Sequence, residues 1–294
     1  MPLEIESGES AGARSGIKGC ILGPSGIGKT SQLLTLPPAT TLLLDAEAGH
    51  LSVRDWLKAG GNRIDMFKTA QTMGAPAWEI MRGLACWLGG PSPLAAPGKP
   101  YSREDYAAMC EAFGDPARMD RYDTVFIDSI TVASRACFAW CQTQPEAFSE
   151  KTGKPDIRGA YGLLGREMVG WLTQLQHVAG KNVWMVGILD KETDEFNRSS
   201  WQPQIMGSGT KQAMPGIFDQ VVSMVEMATE TGEKYRAFVC QTLNPGGYPA
   251  KDRSGALDVI EPPDLGALMA KINSAPPRPS LVTAMPAATV KVPT

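Results

Sequence analysis

The chain reads as an α/β protein: a mostly parallel sheet with helices on both faces, followed by a strand-rich C-terminal extension. Three observations predict this. Short apolar runs alternate with amphipathic stretches between residues 17 and 189, the order in which parallel strands are joined by helical crossovers. Two of those runs end on acids, Thr40-Thr-Leu-Leu-Leu44 on Asp45 and Thr124-Val-Phe-Ile127 on Asp128, as buried parallel strands do when they deliver polar groups at their carboxyl ends. A glycine-rich turn, Gly23-Pro-Ser-Gly-Ile-Gly-Lys29-Thr30, joins the first apolar run, Ile17 to Leu22, to the first helical stretch.

In chain order, residues 1–15 are rich in Ser, Gly and Glu and read as a mobile lead-in. The first strand and its turn lead into a helix from Ser31 to Leu36, stopped by Pro37-Pro38. After the second strand, His50 to Ala59 reads as helix, Ile64 to Phe67 as a short strand, Pro76 to Leu88 as helix, and the proline-rich 89–100 as a surface loop. Ser102 to Phe113 is a polar helix. The helix after Asp128 carries an apolar stripe at Ala133, Cys137, Trp140 and Cys141, and Ala160 to Ala179 carries another at Tyr161, Leu164, Met168, Trp171, Leu175 and Val178. Asn182 to Leu189 is a buried strand. Residues 191–216 read as a long loop, Gln220 to Met227, Tyr235 to Gln241 and the segment around Lys251 as strands, and Pro262 to Ile272 as the last helix. One domain is expected over 16–273, with a disordered Pro/Ala-rich tail over 274–294.

Composition narrows the function classes. With 43% hydrophobic and 20% charged residues the chain can bury a large core. No apolar run reaches the roughly 18 residues of a membrane span, and the first residues lack a leader's basic and apolar regions. A cytoplasmic location and no membrane partner are expected. Six cysteines without a C-x-x-C spacing read as reduced core thiols. A net charge of −3 excludes a broad basic face and leaves nucleic acid only a local patch.

The glycine-rich turn fits G-x-x-x-x-G-K-[ST] at every fixed position. Its chemistry needs backbone N–H groups pointing inward around a phosphate, so Gly23, Pro24, Ser25, Gly26, Ile27, Gly28, Lys29, Thr30 and Ser31 are the expected nucleotide contacts. Lys29 would reach the β- and γ-phosphates, and Thr30 would put its hydroxyl on Mg²⁺. Asp128 is the second acid expected at the metal. Two strand-like segments lie between the phosphate loop and Asp128, so their strands need not be neighbours, and Glu47 is then the carboxylate placed to orient an attacking water. ATP and Mg²⁺ are the expected cofactors.

Together, Gly23 to Thr30, Leu44-Asp-Ala-Glu47, Val125-Phe-Ile-Asp128-Ser129 and Lys251-Asp-Arg253-Ser-Gly255 resemble the motifs of RecA-like P-loop ATPases. More closely, they resemble the small phage members of that superfamily that act in single-strand annealing and recombination. The resemblance implies ATP hydrolysis stimulated by DNA and assembly. It also implies self-association into a ring or filament, single-stranded DNA as a partner, and a single-stranded-DNA-binding protein as a further one. By the same resemblance Lys251 and Arg253 reach a neighbouring subunit's nucleotide, and the loops at 149–159 and 191–211 hold DNA. Lys151, Lys154, Arg158, Arg198, Trp201 and Lys211 supply the cations and the stacking ring there. A family-type polar γ-phosphate sensor would fall near Asp190, where an acid is a poor partner for an anion. A DNA-independent P-loop NTPase or small-molecule kinase and a non-hydrolysing nucleotide-binding module remain the alternatives; against the kinase, 191–211 holds only Arg198 where an Arg-rich lid belongs, and Glu47 argues against the module.

Overall fold

The structure is a computed structural model that describes residues 16–193, 195–197 and 199–274. The expected lead-in at 1–15, all but the first residue of the expected tail at 274–294, and Arg198 lie outside the described residues.

The strands are β1 (Lys18–Gly23), β2 (Thr41–Asp45), β3 (Asn62–Asp65), β4 (Thr124–Asp128), β5 (Asn182–Thr193), β6 (Ser199–Pro203), β7 (Gln220–Ala228), β8 (Lys234–Val239), β9 (Lys251–Asp252) and β10 (Ile260–Glu261). They form one sheet in the order β10-β8-β7-β1-β5-β4-β2-β3, with β6 paired to β5 and β9 to β7. From β7 through β3 the pairings on this path are parallel; β8, β9 and β10 add antiparallel pairings at the other side. This is the expected mostly parallel α/β arrangement, with β5 between the phosphate-loop strand β1 and the Asp128 strand β4.

Burial on both faces explains why the central strands read as unbroken apolar runs. Alternate residues divide between two cores. Leu42, Leu44, Val125 and Ile127 face Trp78, Met81 and Leu84 of α3 (Ala77–Gly89) and Met168 and Trp171 of α6 (Ile157–Gln176). Leu43, Phe126, Trp184 and Phe238 face Leu33, Trp56 and Leu265 on the opposite side. The other helices are α1 (Arg54–Lys58), α2 (Met66–Met73), α4 (Arg103–Phe113), α5 (Ile130–Cys141), α7 (Ser208–Ile217) and α8 (Leu265–Asn273). All six cysteines are free, and all but the half-buried Cys110 are buried. Among the described residues no helix is long and apolar enough to cross a membrane.

Four elements depart from the sequence reading. The stretch after the phosphate loop is a six-residue 3-10 helix, Thr30–Thr35, too short to present a large helix dipole. Residues 191–216 are not a loop: β5 runs on to Thr193 and pairs antiparallel with β6, and α7 follows with Pro215 inside it. Ile64 and Asp65 end a strand that begins at Asn62, whereas Met66 and Phe67 open α2. Tyr161 is exposed and stacks on Phe138 with ring centroids 4.6 Å apart, so it does not join the buried stripe of α6.

Candidate functional site

The register of the parallel strands brings the predicted residues to one edge. Asp45 lies opposite Asp128 in the β2–β4 ladder, so the acids ending both strands emerge side by side, with Glu47 two residues past Asp45. β1 emerges beyond the intervening β5 and turns into the phosphate loop. Gly26 and Gly28 adopt φ of 79° and 104°, which a side chain would resist. A cavity of about 210 Å³ results, lined by Ser25, Gly26, Gly28, Lys29, Thr30, Ser31, Glu47, Ser52, Asp128 and Ile188. A larger cavity of about 530 Å³ lies between Leu42, Trp87, Phe113 and Tyr122, but it has neither a glycine loop nor a carboxylate.

Within the smaller cavity, Thr30 Oγ1 donates to Asp128 Oδ2 at 2.6 Å. Asp128 is almost wholly buried, and burial pushes its carboxyl up to about 6 against the pull of the Thr30 hydrogen bond. A buried carboxylate so penalised, paired only with a hydroxyl, fits a cation: a divalent ion held by Thr30 and Asp128 would offset the desolvation cost and neutralise phosphate charge. Lys29 Nζ donates to the carbonyls of Gly23 and Pro24, both at 2.8 Å, folding back across its own loop. Burial lowers the Lys29 ammonium, while Glu47 and Asp128 raise it.

Glu47 is exposed at the cavity rim, where Oε1 accepts a hydrogen bond from Ser129 Oγ. Its backbone is fixed from beneath. Asp45 Oδ1 accepts the N–H groups of Glu47 at 2.9 Å and Ala48 at 2.8 Å, and Arg63 Nε donates to Asp45 Oδ2 at 2.6 Å. Arg63 also binds Asp65 at 2.8 Å. Neither Arg63 nor Ser129 was singled out as functional by sequence. The signal for Ser129 was its place next to Asp128, and that for Arg63 an arginine beside an acid-terminated strand.

The remaining calls scatter. Lys251 and Arg253 do point the same way, but toward their own chain. Lys251 Nζ donates to Pro215 O at 2.5 Å and Phe218 O at 2.7 Å, and Arg253 pairs with Asp219 at 2.7 Å. Since Lys251 pairs with Val221 and Val221 with Cys20, the pair also stands at the amino edge of the sheet, away from the phosphate loop. Both side chains are thus engaged in tying down the C-terminus of α7. Trp201, expected as a bare stacking ring, lies 4.9 Å from Tyr248 at 27° and packs on the core. Lys211 is half-buried, 3.8 Å from Glu192. Lys151, Lys154 and Arg158 are exposed, as is Asp190, which accepts from the N–H of Lys191; the cavity wall on that strand is Ile188.

Residues 15–254 match the family model described as an AAA domain, far more than half of the chain. The chain belongs to that family. This AAA domain carries a P-loop ATPase-like core with its nucleotide loop intact. Among solved structures it is similar to the flagellar accessory protein FlaH from Methanocaldococcus jannaschii, at 10% identity over 81% of this chain and 84% of that one, with a TM-score of 0.34. It is also similar to the assembled ATPase EscN from the enteropathogenic E. coli type III secretion system, at 15% identity over 71% of this chain and 43% of that one, TM-score 0.32. No curated protein matches the chain.

Proposed function

We propose that this AAA domain binds Mg²⁺-ATP at the phosphate loop and hydrolyses it, self-associating on single-stranded DNA in phage recombination or annealing. One observation carries the hydrolytic part: the exposed Glu47 faces, across a single cavity, the Thr30–Asp128 pair and the loop residues Gly28 and Lys29. The loop N–H groups and Lys29 hold the polyphosphate, Thr30 and Asp128 hold the cation, and Ser129 fixes the carboxylate of Glu47. Asp45 and Arg63 fix its backbone. Glu47 then orients a water in line with the γ-phosphate, and positioning with charge neutralisation supplies most of the rate.

The DNA part rests on the motif resemblance and on Lys151, Lys154 and Arg158, which stand exposed where α6 begins. The engaged ring of Trp201 favours a second reading, a DNA-independent P-loop NTPase. The ATPase rate measured with and without single-stranded DNA over a salt series separates them. Stimulation that fades steeply with salt supports the DNA reading. A rate indifferent to every oligonucleotide leaves the DNA-independent NTPase.

A further inference from the structure

β8 returns antiparallel to β7 with Phe238 opposite Met224 and Arg236 opposite Glu226. Side chains alternate along a strand, so Arg236 shares the face of Phe238. Phe238 packs with Leu33 and Leu36, in the core beneath the 3-10 helix that follows the phosphate loop. Arg236 therefore stands on the loop's own side of the sheet, two residues further toward its carboxyl edge. A Cβ built on Gly28 would lie 3.2 Å from Arg236 Nη1 and 3.5 Å from Met224 Cε, so the guanidinium rests against the last glycine of the loop.

That guanidinium is exposed, and among the described residues no ion pair or hydrogen bond engages it. Its cross-strand neighbour Glu226 is bound to Lys234 instead, at 2.7 Å. A planar cation with its donors unspent, set beside a loop shaped for an anion, is suited to bidentate phosphate recognition. The sheet order fixes which end of the nucleotide it meets. Glu47 and Asp128 follow β2 and β4 on one side of β1, whereas β7 and β8 lie on the other. The Glu47 side is the γ-phosphate end, because that carboxylate orients the attacking water.

We infer that Arg236 is a nucleotide ligand acting within its own chain, holding the diphosphate common to ATP and ADP from the side opposite Glu47. The inference rests on the Mg²⁺-ATP reading above. Calorimetric titration of the full chain with Mg²⁺-ATP and with Mg²⁺-ADP tests it. Arg236→Ala weakens both nucleotides about equally, by roughly tenfold or more, the scale of a charge-assisted hydrogen bond. Arg236→Lys recovers part of the loss, and the melting temperature without nucleotide stays at the wild-type value.

Unchanged affinities in Arg236→Ala, when Lys29→Ala abolishes binding, overturn this inference alone. A loss confined to ATP also overturns it, since the contact would then be with the γ-phosphate. Wild-type protein that binds neither nucleotide overturns the phosphate-loop reading and this one with it.

Discussion

The two edges of the sheet are both rich in charge, yet they use it differently. At the amino edge three ammonium groups each reach at least one backbone carbonyl from a distant part of the chain. Lys18 binds the carbonyls of Gly16 and Lys181, Lys181 those of Met119 and Tyr122, and Lys251 those of Pro215 and Phe218. At the carboxyl edge Lys29 also binds two carbonyls, but both belong to its own loop, within six residues. Releasing them for a phosphate separates nothing distant. Asp128 there is buried against its preference for water, and Arg236 has no partner among the described residues. The amino-edge cations knit remote segments together, whereas Lys29 and Arg236 are the cations assigned to nucleotide in the proposals above.

The largest expected effect lies at the carboxyl edge. Glu47→Gln should lower ATP hydrolysis by roughly 10² or more, the usual scale for losing a general base, with ATP affinity retained in a filter-binding assay. Hydrolysis near the wild-type rate would move water activation to another group. A smaller effect separates the edges directly. Lys251→Ala/Arg253→Ala should lose about 2 kcal/mol of stability through lost charged hydrogen bonds, seen in urea unfolding, and should keep nucleotide affinity. If that double variant melts normally but hydrolyses only when mixed with Lys29→Ala protein, the pair acts across a subunit boundary and the comparison breaks.

A third effect, spread over pH, concerns Lys18, which is 4% exposed and whose ammonium burial lowers to about 8. Between about 8 and 10.5 the unfolded chain keeps a proton that the folded chain has lost, so this residue's contribution to stability rises with pH across that window. The stability of the wild type relative to Lys18→Met should climb there by up to about 1.4 kcal/mol per pH unit. A flat difference would mean that Lys18 stays protonated throughout.

What the sequence disclosed followed from local pattern. The phosphate loop, the acid-terminated strands and the two-sided burial of β1, β2, β4 and β5 each lie within a few consecutive residues, where spacing is a direct signal. The β5–β6 hairpin was missed because Glu192, Thr193, Ser199 and Ser200 are exposed, which leaves no period-two alternation to read. α7 was missed because Gly209, Pro215 and Gly216 depress its helix propensity. Arg236 and Trp201 were opaque for another reason. Their neighbours in space, Gly28 and Tyr248, lie far along the chain, and only sheet order and register bring them together.

The clamp on the turn after the phosphate loop bears on how the protein is made. Gln32 Oε1 accepts the N–H of Leu265 at 3.0 Å, Gln32 Nε2 donates to Pro263 O at 3.1 Å, and Thr35 Oγ1 accepts the N–H of Gly266 at 3.1 Å. Partners more than 230 residues apart meet here, and synthesis from the amino end delivers Gln32 long before Leu265. β1 likewise waits for β5 and β7 before either of its sides is covered. The loop's support is therefore complete only after residue 266 has been made, and a nascent chain released before residue 265 carries the loop's sequence without it.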